Sequence, residues 1–341
     1  MGGTASAGES ISIDGLPLPA SRVALGTWAI GGWMWGGSDE RAAIATIHAA
    51  LDHGVTLIDT APVYGFGRAE EIVGKALAEG GRRQRALIAT KVGLDWSDGK
   101  PFRNAGRARI ETEIEDSLRR LRTDAIDLYQ LHWPDPKTPI EETAAAMEDL
   151  RRAGKIRAIG VSNLSPEQMD AFRAVAPLQT AQPPYNLFER GIEADVLPYC
   201  SRERIVTLCY GALCRGLLAG TITQETRFEG DDLRLRDPKF RAPRLAHYLD
   251  AVARLDQFAR ETYGKRVIHL ALRFVLDKAW TNIALWGARR PEQLAPIAEL
   301  SGWRLDEAAM QAIDAILAET IVDPVGPEFM APPARREGAI Y

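Results

Sequence analysis

The chain has 341 residues, of which 46% are hydrophobic and 26% charged, a balance that excludes an intrinsically disordered polypeptide. No apolar run approaches the roughly 18 residues of a membrane-spanning helix. Its 42 basic and 46 acidic side chains leave a net charge of −4 with no long run of either sign, so neither a nucleic-acid footprint nor a membrane-binding patch is expected, and the partners to look for are small molecules.

Residues 1–10, MGGTASAGES, carry no charged-then-apolar leader and are expected to be a disordered tail, with the protein in the cytoplasm. Gly2 with Ser6 also fits a myristoylation pattern, one too short to displace that reading. ISIDGLPLPASR (11–22) then reads as a hairpin. From there short apolar runs alternate with helical periodicity: strands are predicted at 22–26, 55–60, 86–92, 125–133, 156–163, 178–182, 205–211 and 282–287. Between them lie amphipathic stretches such as Ile44, Ile47, His48 and Leu51, or Ile110, Ile114, Leu118 and Leu121, at three- and four-residue steps. Gly54 and Gly154 stand where helices should end, and Ser165-Pro166-Glu167 and Pro291-Glu292 where they should begin.

Residues 212–247 form one long irregular stretch, a length that points to a binding loop or lid. Helices are expected at about 248–263, 267–278 and 305–319, with residues 321–341 as a tail. Eight strand-helix units imply a single (β/α)8 barrel domain. A doubly wound open sheet would need a GxGxxG first turn, which GTWAIGG does not supply and GFGRAE (65–70) matches only in part.

In such a barrel the C-terminal strand ends build the site. Asp59 ends the second apolar run, Lys91 the third and His132 the fourth, with Tyr64 in the loop after the second. Each alone could be a cap, an ion-pair partner or a satisfied core histidine; jointly, on adjacent strand ends, they suggest one pocket. An ammonium beside a phenol favours the phenolate, so Lys91 is expected to bring Tyr64 down from its ordinary value of about 10. Asp59 would keep Lys91 charged, and a neutral His132 would donate a hydrogen bond to a substrate oxygen. His48 and His269 read as packing residues, while His53 and His247 belong to no constellation. Cys200, Cys209 and Cys214 lack CxxC spacing, so neither a disulfide framework nor a metal centre is expected.

The motifs GTW (26–28), IDTAPVYG (58–65), ATK (89–91), LHWPD (131–135), GVSN (160–163), AQPPYN (181–186), YGALCRGLLAG (210–220) and GARRPEQL (287–294) resemble those of the aldo-keto reductases, from about residue 11 to the C-terminus. The resemblance implies that Asp59, Tyr64, Lys91 and His132 are a catalytic tetrad with Tyr64 as general acid. It implies a nicotinamide cofactor across the barrel mouth, contacted by Gly26, Thr27, Trp28 and Asp59, with Ser162, Asn163 and Gln182 on the carboxamide and Tyr210 stacked on the ring. Gly211, Leu213, Arg215 and Gly216 would cover the pyrophosphate. Gly287, Arg289, Arg290 and Gln293 would hold a 2′-phosphate, favouring NADPH over NADH. Three departures bear on cofactor contacts: Ile297 stands where many relatives have asparagine, Trp286 where they have proline, and Gly211-Ala212 where Ser-Pro is common. Trp28, Trp33, Trp35, Tyr64, His132, Trp133 and Phe188 should line a partly aromatic substrate pocket. GTWAIGGWMWGG with YGALCRGLL and FMAPP is most similar to the bacterial glyceraldehyde reductase branch, so a small carbonyl compound is the implied substrate. The rival readings are a Schiff-base aldolase using Lys91 and a cofactor-sensing regulatory subunit.

Overall fold

A computed structural model describes residues 9–335. Eight parallel strands close into a barrel: β1 (Val23–Gly26), β2 (Leu57–Asp59), β3 (Leu87–Val92), β4 (Ile126–Leu131), β5 (Ile156–Ser162), β6 (Thr180–Gln182), β7 (Val206–Cys209) and β8 (Asn282–Gly287). Each pairs with its neighbour in chain order and β8 pairs back to β1, the (β/α)8 architecture that the alternation of apolar runs predicts.

Two hydrophobic layers follow from the period-2 pattern of the strands. Inward residues such as Ala24, Leu57, Leu87, Leu128, Val206 and Ile283 fill the barrel, while outward ones such as Ile58, Ile88, Tyr129 and Ile159 pack under the helices. At the N-terminal end the expected hairpin pairs Ser10–Ile11 with Ala20–Ser21, and Ile11 and Ile13 join the interior layer as a plug. Helices start and stop where the local chemistry directs: Ser165 and Gln168 form a reciprocal cap, and Gly54 at φ +81° and Gly154 at φ +76° follow helices ending at Asp52 and Arg152.

Four expectations need correction. Residues 9 and 10 are not tail: the Glu9 carboxylate pairs with Arg22 at 2.8 Å and Arg273 at 2.7 Å, and Ser10 is in the hairpin; the remaining tail residues and the Gly2/Ser6 pattern lie outside the described residues. The 212–247 stretch contains three 3-10 turns, Cys214–Ala219, Leu233–Leu235 and Pro238–Phe240, and its following helix begins earlier, at Arg244. The segment opening at Pro291 is 3-10 throughout Pro291–Glu299, with Pro296 inside it. A second hairpin, Leu94–Ser97 with Lys100–Arg103, was not expected. Its two-residue turn is Asp98-Gly99, both at positive φ, a sequence signal that SDG displays openly. The tail reaches this hairpin: Ala334 bridges to Arg103, and Arg335 pairs with Asp135 at 3.0 Å. No helix among the described residues is long and apolar enough to cross a membrane.

Candidate active site

Strand register brings the polar residues to one end of the barrel. Gly26 pairs with Asp59 and Lys91 with Gln130. Thr27 clamps the end of β2 by donating both its N–H (2.9 Å) and its hydroxyl (3.0 Å) to the Asp59 carbonyl. Tyr64 is placed by close backbone approach: a Cβ on Gly31 would lie 2.5 Å from the Tyr64 carbonyl oxygen, and one on Gly65, at φ +69°, would lie 2.3 Å from that of Gly31.

Lys91 is the hub. Its ammonium donates to Asp59 Oδ2 at 2.7 Å, to the Thr60 carbonyl at 3.0 Å and to the Tyr64 hydroxyl at 3.2 Å, in a fully buried position. Burial alone would favour the neutral amine, but Asp59, followed by Tyr64, outweighs it and holds Lys91 above the ordinary lysine value. An amine held protonated is no Schiff-base nucleophile. Trp28 stacks on Tyr64 at 5.9 Å between centroids, and the His132 ring meets its edge, also at 5.9 Å. Burial, then the Lys91 charge, keeps His132 well below the usual imidazole value, so it is neutral at physiological pH and keeps one ring N–H with which to donate.

One electrostatic expectation fails. Tyr64 lies above its ordinary value, not below it: desolvation is the largest influence, Lys91 opposes it, and the negative Asp59 adds to it. The phenol therefore holds its proton, with the ammonium beside it ready to stabilise the phenolate once the proton leaves.

Around this centre Ser162 donates to the Gln182 carbonyl (2.7 Å), Asn163 to Ser162 Oγ (2.9 Å) and the His132 carbonyl (3.0 Å), and Tyr210 OH to Asn163 Oδ1 (2.9 Å). Gln182 turns inward and donates to Asp59 Oδ1 at 2.8 Å. Among the described residues no group of three or more His, Cys, Asp or Glu is placed to hold a metal ion.

The chain has a counterpart in a known family: residues 22–318 match the aldo/keto reductase family. The chain belongs to that family. It is 62% identical over 329 residues to the aldo-keto reductase YhdN of Bacillus subtilis (strain 168), covering 96% of this chain and 99% of the relative. The solved glycerol dehydrogenase AKR11B4 from Gluconobacter oxydans superposes with a TM-score of 0.86 at 55% identity, covering 94% of this chain and 99% of that one. An aldo/keto reductase from Klebsiella pneumoniae, solved in complex with NADP and acetate, gives 0.69 at 31% identity, covering 91% and 95%. As an aldo-keto reductase the protein is an oxidoreductase, in a family that uses NADP(H).

In this aldo-keto reductase the far end of the mouth is basic. Arg289 donates to the Trp35 carbonyl at 2.6 Å, and Arg234 lies over the Trp35 ring at 5.4 Å. Burial, followed by the charge of Arg234, holds Arg289 below the usual guanidinium value, against the opposing carboxylate of Asp232. The exposed Arg290 pairs with Glu292 at 3.1 Å. Gln293 Oε1 accepts from the N–H groups of Arg289 (2.8 Å) and Arg290 (3.1 Å), next to the exposed Gly287.

Two predicted site residues are elsewhere engaged. Arg215 does not offer its guanidinium to a pyrophosphate: buried, it bonds Glu189 and, at 2.6 Å, Asp237, because a charge enclosed by the long loop must find carboxylates. The backbone of Gly211–Gly216 has Gly211, Cys214, Arg215 and Gly216 at positive φ, with Leu213 half-buried between them. Phe188 is core, not pocket: it packs edge-on against Tyr248 at 4.9 Å. Cys214 is buried with its thiol pushed up to about 12, so it is a packing residue.

The aromatic wall instead continues from Trp33 to Phe66 (5.1 Å) and on to Trp96 of the unexpected hairpin (5.5 Å), with Trp133 under the Arg103 guanidinium (5.1 Å). Phe66 carried a signal in following Tyr64 and Gly65 directly; Trp96 needed the hairpin to bring it there. Gln130, also missed, donates to Asp59 Oδ1 at 3.1 Å. Its signal was the two-residue step from His132, which puts both on one face of the strand.

Proposed function

We propose that this enzyme reduces small polyol-type aldehydes such as glyceraldehyde to alcohols with NADPH, and oxidises the matching alcohols in reverse, with Tyr64 as proton donor and acceptor. The observation that carries the reading is Lys91 bonded at once to Asp59 and Tyr64 at the barrel mouth. A protonated phenol with an ammonium at 3.2 Å is a general acid whose product, the phenolate, is already stabilised. Tyr64 OH gives its proton to the carbonyl oxygen, and neutral His132 donates a hydrogen bond to the same oxygen and orients it.

The mouth suits a nicotinamide dinucleotide phosphate. Gln182 Oε1 accepts no hydrogen bond among the described residues and matches a carboxamide N–H. Tyr210 offers a half-buried ring, and the guanidinium groups of Arg289 and Arg290 suit a phosphate. When bound, the cofactor supplies the hydride that joins the carbonyl carbon. The Trp28, Trp33, Phe66 and Trp133 wall favours a small, uncharged substrate, and the likeness to a named glycerol dehydrogenase supports the polyol type.

The test is loss of reduced-nicotinamide absorbance with DL-glyceraldehyde, run in parallel with NADPH and NADH and repeated with Arg289→Ala/Arg290→Ala. NADPH oxidation that NADH cannot match, with the preference shrinking in the double variant, is expected. NADPH binding without oxidation of any aldehyde would sink the reductase assignment in favour of a regulatory one.

A further inference from the structure

Asp59 has two carboxylate oxygens with different partners. Oδ2 faces Lys91; Oδ1 accepts from both Gln130 Nε2 (3.1 Å) and Gln182 Nε2 (2.8 Å). A third bond closes the group, from Gln182 Nε2 to Gln130 Oε1 at 3.1 Å. All four residues are at most 2% exposed.

The chemistry of the donors leaves one consistent arrangement. A carboxylate only accepts, so both amides must turn their NH2 groups towards Asp59. Gln130 then presents its oxygen to Gln182, whose two N–H bonds are both used, one on Asp59 and one on Gln130. What Gln182 has left for the mouth is its oxygen, an acceptor without a partner among the described residues.

The fold makes room for this. Gln130 stands beside Lys91 in the strand register, and its neighbour on the other side is Gly160. A Cβ at Gly160 would lie 2.9 Å from Gln130 Cγ and 2.3 Å from Thr180 Oγ1, so the glycine keeps the space that the glutamine fills.

We infer that Gln130 is a positioning residue that couples the two halves of the site: by one amide it fixes Asp59 for the proton relay, and by the other end of the same amide it locks Gln182 as an acceptor for the carboxamide of the nicotinamide. The inference rests on the cofactor placement proposed above. Without Gln130 Oε1 the Gln182 amide is free to rotate on its bond to Asp59 and present an N–H instead.

The experiment compares calorimetric binding of NADP+ with that of its 3-acetylpyridine analogue, which has a methyl ketone in place of the carboxamide and no N–H to donate. The wild type should bind NADP+ about tenfold more tightly, the worth of one hydrogen bond in a dry site. Gln130→Met should reduce that preference to less than about twofold, because the freed Gln182 amide serves either group. Gln130→Glu keeps an acceptor for Gln182 but loses the donor to Asp59, so it should retain the preference while kcat falls about tenfold at neutral pH and recovers as pH is lowered, when a protonated carboxyl again donates. A merely structural glutamine would show neither the lost preference nor the pH-dependent recovery. Equal binding of both dinucleotides by the wild type would overturn the placing of the carboxamide at Gln182, and the coupling with it. A wild-type preference that survives in Gln130→Met would overturn the role of Gln130 alone. Should Gln130→Met not fold by circular dichroism, Gln130→Glu decides: an unchanged, pH-independent kcat refutes the positioning role.

Discussion

At the residue scale the proposed chemistry turns on one proton. Tyr64→Phe removes the donor and little else, so turnover should vanish while cofactor affinity is nearly unchanged; retention of more than about a tenth of the activity, a loss below about 1.4 kcal/mol, would mean that another group is the acid. Because burial holds the Tyr64 phenol above its ordinary value, it is loaded for reduction at neutral pH and must lose its proton to act in the opposite direction. Alcohol oxidation should therefore rise with pH into the alkaline range while aldehyde reduction falls there, and coincident profiles would contradict the shared role. His132 sits well below the imidazole range, so its ring resonances should not titrate between about pH 5 and 8, a window that spans an ordinary histidine.

At the scale of elements, an ion-pair cluster ties a turn to a helix far along the chain. Glu193, beside the helix Val196–Glu203, is bonded by Arg190 (2.6 Å), Lys278 (2.8 Å) and the Tyr185 hydroxyl (2.7 Å). Burial alone would raise this carboxyl; the three donors outweigh it and bring it down to about 2 from 4.5. A depressed carboxyl stabilises the fold above its unfolded value, and that stabilisation disappears as pH falls from about 4.5 towards 2. Glu193→Gln should lower stability at pH 7 and flatten the acid limb of the melting-temperature profile; an unchanged limb would assign the acid sensitivity elsewhere. The hairpin Leu94–Arg103 shows how an element adds to a site without belonging to the barrel, since it carries Trp96 to Phe66.

At the scale of the whole molecule, a buried charge cluster joins three distant parts of the chain. Glu189 after β6, Arg215 after β7, Asp237 and Lys239 in the long loop are all buried, and Lys239 reaches the Gly326 carbonyl of the C-terminal segment at 3.3 Å. The two cations and two carboxylates balance, so removing one strands its partner. Lys239→Met should destabilise the protein by about 3–5 kcal/mol in denaturant unfolding. A change below about 1 kcal/mol would show that water or loop rearrangement satisfies Glu189.

The barrel, the order of its strands and the identity of Asp59, Tyr64, Lys91 and His132 were determined by the sequence itself, because period-2 apolar runs separated by helical periodicity admit few packings and a polar residue that ends each run has only the strand mouth to occupy. What each side chain touches was decided only by closure of the barrel. Gln130 and Gln182 lie 52 positions apart and meet over Asp59; Arg215 meets Asp237 inside a loop that reads as irregular; Phe188, two residues beyond Asn186 of the AQPPYN motif, turns into the core. The sign of the Tyr64 shift belongs to the same class. Lys91 beside Tyr64 is legible in the motifs, but the desolvation that outweighs it is set by every neighbour that excludes water, and that enclosure exists only in the folded molecule.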